Sequence, residues 1–234
     1  MSFHQSESHV LVRIEPTDDK WGDPVTNLLS DFVAELVFKR IRLYYHTTIC
    51  QSLDNLLRYP NTRGWAGKLF EQAVHRRFRR GIKFSPQVMG SSSAALDIQI
   101  DEVNDEAECY FHTLAVRTTA RSRKVAVNFL NQYLIPLSST AETIDSVYIS
   151  RDVTVFFQIT VSPSHDLNLK GITELTDELP HDAKKRVCIV FVLPDRVTTV
   201  RPYKRQKIVS PAGVLNSVAE GYPQYVFYVD MNDI

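Results

Sequence analysis

The sequence is poor in the residues that would make it anything but an ordinary folded chain. In 234 residues there are 8 Gly, 11 Pro and 3 Cys. This excludes collagen-like and disulfide-scaffold architectures. Charge of one sign is also lacking, because 27 Lys and Arg face 27 Asp and Glu. A zero balance argues against a protein that coats nucleic acid by overall charge. No apolar run reaches the length of a membrane span, so no membrane partner is expected. The polar stretch Met1–His9 does not read as a signal peptide. Cys50, Cys109 and Cys188 are scattered, odd in number and without CxxC spacing. They read as free thiols of an intracellular, reducing compartment.

What is present is a 44% hydrophobic chain with 12 Phe and 10 Tyr, enough for a sizeable core. His9–Ile14 can form a short strand. Apolar residues from Val25 to Ile41 recur at helical spacing, and the pattern predicts one long or two shorter helices between Pro24 and Leu57. Gly64–Phe78 predicts an amphipathic helix, with Asn61 or Thr62 as its cap and Gly81 as its stop. Period-two patterns follow, with strands expected at Ala95–Ile100, Cys109–Val116, Ser146–Tyr148 and Val153–Val161. Helices are expected at Lys124–Leu134, Leu167–Leu179 and Ala212–Glu220, and a last strand at Tyr225–Tyr228. Val187–Leu193 is apolar throughout, as in a central strand covered on both faces. The order predicts an α/β or α+β chain with a mixed sheet. It comprises an N-terminal helical extension, residues 1–60, and a main domain, residues 61–234.

The densest polar information lies between Thr143 and Val161. If Arg151-Asp152 form a two-residue turn, Ser150 faces Val153 and Asp145 stands directly opposite Gln158. Thr160 then shares their face. Such an oxygen-rich group suits a hard divalent cation. On residue chemistry alone, a hydrogen-bonded polar pair is the better reading. Arg-Asp is not a preferred tight-turn pair, and a longer loop would shift the register. Glu71 is the lone acid among Arg63, Lys68, Arg76, Arg77, Arg79, Arg80 and Lys83. It reads either as a salt-bridge partner, with His75 at i+4, or as an acid aimed at the sheet beside a phosphate-facing patch. The glycines of Gly64–Lys68 are too close for a phosphate loop, and His165 and His181 lack zinc spacing.

An ordered set of motifs runs along the chain. It comprises Gly67-Lys-Leu-Phe-Glu71, Tyr133-Leu-Ile-Pro136, Thr143-Ile-Asp145-Ser146, Phe157-Gln158-Ile-Thr160-Val-Ser162, His165, Lys170-Gly-Ile172 and Phe191-Val-Leu-Pro194. Over residues 60–230 it resembles the C-terminal module of Crinkler and retrotransposon-hot-spot-type proteins, a family abundant in fungi. The resemblance implies a restriction-endonuclease-like fold of the PD-(D/E)xK superfamily, a mixed αβββαβ core with helices flanking a central sheet. It also implies a nuclease of effector or mobile-element type, cleaving DNA with Mg²⁺ or Mn²⁺. Glu71 would be the helix acid, Asp145 the strand acid and Gln158 the third metal ligand. Thr160 stands where the superfamily carries its Lys, which orients water and meets phosphate charge. Lys170 is the candidate for a relocated cation, and His165 for a general acid or base. Asp97 is a rival strand acid. Arg76, Arg77, Arg79 and Arg80 would grip the DNA backbone. The alternative is a catalytically degenerate member that binds nucleic acid or a host protein.

The zero net charge is a cancellation between segments. Residues 63–83 hold seven Lys or Arg and one acid, and residues 183–207 hold eight and one. Residues 97–108 hold six acids and no base. The run Arg201–Lys207 reads as a solvated loop or as a weak nuclear address.

Overall fold

A computed structural model describes residues 12–15, 25–28, 49–59, 62–90, 95–103, 110–111, 131–136, 144–179, 183–184, 186–195, 202–209 and 222–233. Two compact units divide the chain, residues 1–75 with Ile234, and residues 76–233. No helix is long and apolar enough to cross a membrane among the described residues.

In the first unit, β1 (Val12–Glu15) and β2 (Val25–Leu28) form an antiparallel pair in which Val12 faces Leu28. Val25–Leu28 therefore departs from the helix that its spacing predicts. Its Val and Thr are good strand residues, and pairing with β1 outweighs a weak helical period. Residues 29–48 of that expected helix lie outside the described residues. Helix α1 (Ile49–Arg58) ends before Pro60, as expected. Thr62 caps the turn that follows, donating its hydroxyl to the carbonyl of Leu56 at 2.5 Å. Helix α2 (Arg63–Arg79) begins there. Its Ala66, Leu69, Phe70, Ala73 and Val74 are buried at the spacing of one helical stripe. The boundary between the units falls within α2.

The second unit continues with the last turn of α2. Gly81 stops the helix at φ +79, where a Cβ would meet the Glu102 nitrogen at 3.2 Å. Seven strands follow in one sheet. In chain order they are β4 (Gln87–Val88), β6 (Tyr110–Phe111), β7 (Gln132–Pro136), β8 (Ser146–Ile149), β9 (Thr154–Ile159), β11 (Val187–Asp195) and β13 (Gln224–Asp230). Their spatial order is β4-β13-β11-β9-β8-β7-β6. β7, β8 and β9 run antiparallel in turn, while β9, β11 and β13 are parallel. The sheet is mixed, as expected. Two smaller pairs accompany it. β3 (Ile82–Phe84) pairs antiparallel with β5 (Ile98–Ile100), and β10 (Leu167–Asn168) pairs parallel with β12 (Ile208–Val209).

Gln132–Leu134, expected in a helix, stand in β7. Tyr133, Leu134 and Ile135 are buried there, and a short apolar run in a central position takes the strand. The expected helix at 212–220 lies outside the described residues. Helix α3 (Leu169–Glu178) forms the crossover from β9 to the parallel β11, which an extended link could not make as compactly. Val187–Leu193 is buried along its whole length between two parallel neighbours.

Successive β9 residues face opposite sides of the sheet. Phe157 joins an aromatic group on one side, its ring centroid 5.2 Å from Phe78 and 5.9 Å from Tyr133. Phe84 stacks on Phe227 in the same group at 4.0 Å. Phe156 packs on the other side with Ile172 of α3, Phe191 and Val226. Phe157→Ala should cost about 3–5 kcal/mol in equilibrium denaturation, and Val88→Ala at the exposed edge under about 1 kcal/mol. Equal losses would show that the aromatic group does not anchor the unit.

Candidate functional site

The hairpin register is the one obtained by counting back from Arg151-Asp152. Ser146 faces Phe157 and Ile149 faces Thr154, so Asp145 comes opposite Gln158. Ser150 makes the unfavoured Arg-Asp turn workable. Its hydroxyl oxygen accepts from the nitrogens of Asp152 at 3.3 Å and Val153 at 3.1 Å, a serine turn that needs no glycine.

Asp145 and Gln158 meet at the open end of this hairpin. Gln158 Nε2 donates to Asp145 Oδ2 at 2.8 Å, and the Ile159 backbone nitrogen donates to the same oxygen at 2.5 Å. The carboxylate thus takes a backbone N–H where the β8 ladder ends. Gln158 is 4% exposed, and its Oε1 is buried without a hydrogen-bond partner. By alternation Gln158 shares the side of Phe156 and α3, opposite to Phe157 and the Phe78 turn of α2.

Thr160 is buried just beyond β9. Its nitrogen donates to the Val192 carbonyl, and its Oγ1 accepts from Ser162 N at 3.0 Å. A hydroxyl in a local turn cannot replace an ammonium. Lys170 lies in the first turn of α3, where its backbone nitrogen donates to the Asn168 cap. Its Nζ is 3.7 Å from Glu174 Oε1, with both side chains about two-thirds exposed. Such a pair contributes little. His165 is half-buried. Burial pushes its imidazole below the ordinary value, against the opposing pull of Asp166. The rival acid Asp97 is exposed and accepts from Ser85 Oγ.

Glu71 belongs to the first unit. Its Oε2 lies 3.2 Å from Lys68 Nζ and its Oε1 3.6 Å from the buried His75 Nε2. The i+4 partner expected from helical spacing is the one found. Burial pushes the Glu71 carboxyl up, but the hydrogen bonds and charges of His75 and Lys68 outweigh it and hold the group below its ordinary range. The four helix arginines do not form one solvent-facing row. Arg77 Nη1 donates to the Gly81 carbonyl at 2.8 Å, which closes the helix end. Arg79 is 8% exposed, Arg76 is half-buried and Arg80 is exposed.

As placed, Asp145 and Gln158 do not fit a hard divalent cation, because the amide turns its nitrogen to the carboxylate. Such ions need oxygen ligands. Among the described residues no three His, Cys, Asp or Glu side chains gather into a metal-binding group. Cys188, deep in β11, has its thiol pushed up to about 12 by burial and is no nucleophile.

Sequence reasoning missed a buried amide pair. Gln206 N donates to Gln224 Oε1 at 2.8 Å, and Gln224 Nε2 donates to the Gln206 carbonyl at 3.0 Å. Gln206 Oε1 accepts from His165 N at 2.7 Å. Glutamine at these positions carries no pattern that marks it in advance.

No family model matches the chain, and neither does any curated protein or solved structure. The Crinkler resemblance rests on its ordered motifs.

Two outcomes follow. Asp145→Ala leaves the Ile159 N–H and the Gln158 amide without their acceptor, at roughly 1–3 kcal/mol for each buried donor. Denaturant unfolding should show that loss, and an unchanged midpoint would refute the capping role. The Glu71 carboxyl is lowered by folding, so its stabilisation is present above its ordinary 4.5 and is lost as pH falls through the folded value. Stability measured down through pH 4.5 should therefore fall less steeply in Glu71→Gln than in the wild type. Equal slopes would count against the Glu71 ion pairs.

Proposed function

We propose that the chain is a restriction-endonuclease-like module of the Crinkler and retrotransposon-hot-spot type whose catalytic centre is degenerate and which binds nucleic acid. One observation carries the degenerate part. Asp145 Oδ2 is held by two N–H donors, and the residue that would supply the cation is a buried Thr160 hydrogen-bonded in its own loop. The order of elements supports the fold. Helix α2, strands β7, β8 and β9, helix α3 and strand β11 come in the order αβββαβ, with β3–β6 inserted after the first helix and the two-residue β10 before α3. The basic segment at 183–207 supports an anionic partner.

A second reading is favoured by one atom. Gln158 Oε1 is buried without a partner, and a half-turn of the amide would set this oxygen beside Asp145. Asp145 and Gln158 would then offer oxygens to Mg²⁺ or Mn²⁺. The ion would supply a more acidic bound water and charge at the phosphate. His165, kept neutral by burial, would serve as the base, and Lys170 as the cation.

The readings separate in one assay. Plasmid and linear DNA are incubated with the protein and Mg²⁺ or Mn²⁺, with Asp145→Ala and Lys170→Ala alongside. The proposal expects salt-sensitive binding and no cleavage above background. Cleavage abolished by Asp145→Ala would establish the second reading instead. Absence of binding at low salt would overturn both.

A further inference from the structure

The proposed function needs a cationic surface, and α2 does not provide one in a row. The segment 202–209 does. Tyr203, Gln206 and Ile208 are buried, while Lys204, Arg205 and Lys207 between them are exposed. The buried residues fasten this segment along its length. Tyr203 N donates to Tyr228 Oη at 3.2 Å, and its ring centroid lies 5.6 Å from that of Phe191. Gln206 and Gln224 exchange hydrogen bonds, and the Lys207 carbonyl accepts from Leu167 N at 2.9 Å. Ile208 and Val209 complete the anchoring as β12 beside β10.

Three cations are thus held on a backbone that cannot wander. From Lys204 to Lys207 an extended chain spans about 10 Å. The Gln206–His165 hydrogen bond sets this segment against residues 160–166, which leave the end of β9 and carry Thr160. Exposed acids stand in this part of the fold too: Asp166 beside His165, Glu174 paired with Lys170, and Asp195 and Asp230, which pair at the ends of β11 and β13 on the side of Tyr228.

We infer that the 202–207 loop is the nucleic-acid grip of this protein, holding a phosphodiester backbone through Lys204, Arg205 and Lys207. The inference rests on the proposed function and names the surface that carries it. A lipid surface is a poorer partner, because the loop's own apolar residues, Tyr203 and Ile208, are buried and leave nothing to insert. Recognition as an extended import signal is poorer too, because the main chain of Tyr203, Gln206 and Lys207 is already hydrogen-bonded within the fold.

The test is fluorescence anisotropy of a short labelled DNA duplex across a salt series. It compares the wild type with the triple variant Lys204→Gln, Arg205→Gln, Lys207→Gln and with a control at two exposed arginines elsewhere, Arg58→Gln, Arg151→Gln. Each lost phosphate contact should reduce the slope of log affinity against log salt by about 0.9. The triple variant should therefore lose up to about 2.7 of slope and about tenfold or more in low-salt affinity, with the control close to wild type. Thermal unfolding checks that the variants fold. Should the triple fail, Lys204→Gln and Lys207→Gln singly each lose about 0.9 of slope. Wild-type slope in the loop variants, or a loss confined to the control, overturns the grip and leaves the proposed function standing. A wild type that binds no duplex overturns both. Sedimentation with phosphatidylserine vesicles should show no binding. Vesicle binding that the triple variant abolishes, with DNA binding unchanged, also overturns the grip.

Discussion

Strand β9 is the constraint on which the second unit turns. All six of its residues are buried, so the sheet is covered on both sides and alternation fixes what each residue meets. Phe157 goes to the aromatic group beneath the last turn of α2, and Phe156 to the core beneath α3. Gln158 follows Phe156 to its side, because residues two apart on a strand share a face. A one-residue slip would exchange the two faces along the whole strand. The position and burial of the polar pair are therefore consequences of hydrophobic packing, whatever chemistry the pair carries.

This explains why the hairpin was legible and other elements were not. Register follows from the turn, and once Ser150 replaces glycine as the turn-maker, counting back from Arg151-Asp152 reaches Asp145 and Gln158. Val187–Leu193 was legible for a similar reason, since seven apolar residues in succession leave only a strand covered on both faces. Val25–Leu28 and Gln132–Leu134 depart from the expected helices because short apolar stretches satisfy both periods. Within the site, spacing could pair Glu71 with His75 because the helix sets that distance. It could not show that the Gln158 amide turns its nitrogen toward the carboxylate, which is decided by local hydrogen bonding.

The arginines teach a related lesson about charge. Arg76, Arg77, Arg79 and Arg80 look like one basic patch when counted, but a helix distributes them around its axis. Arg79 lies four residues after His75, on the buried stripe, and Arg77 reaches the carbonyl of Gly81 past the helix end. In residues 202–209 the alternation of buried and exposed positions does the opposite. It turns Tyr203, Gln206 and Ile208 inward and leaves each cation outside. Counting charge by segment locates candidates, and the local period decides which of them face a partner.

The same contrast bears on binding against catalysis. A cation that only holds a phosphate backbone acts through charge at the surface, and fixed, exposed side chains suffice. A catalytic cation must stand within hydrogen-bond reach of the reacting phosphate, in a site that excludes water. Lys204, Arg205 and Lys207 meet the first requirement. Thr160 cannot meet the second, and Lys170, two-thirds exposed beside Glu174, would have to leave its partner and the solvent to do so. The orphaned Gln158 oxygen pulls the other way, because a buried amide oxygen without a partner costs about 1–3 kcal/mol. Reversing the amide alone would not relieve that cost, since it sets one oxygen against another and leaves the nitrogen unpaired. A cation between Asp145 and Gln158 would make the reversed arrangement favourable. The amide orientation and the binding of an ion are therefore a single question: the nitrogen-inward amide belongs to the pair without an ion, and the reversed amide to the pair with one.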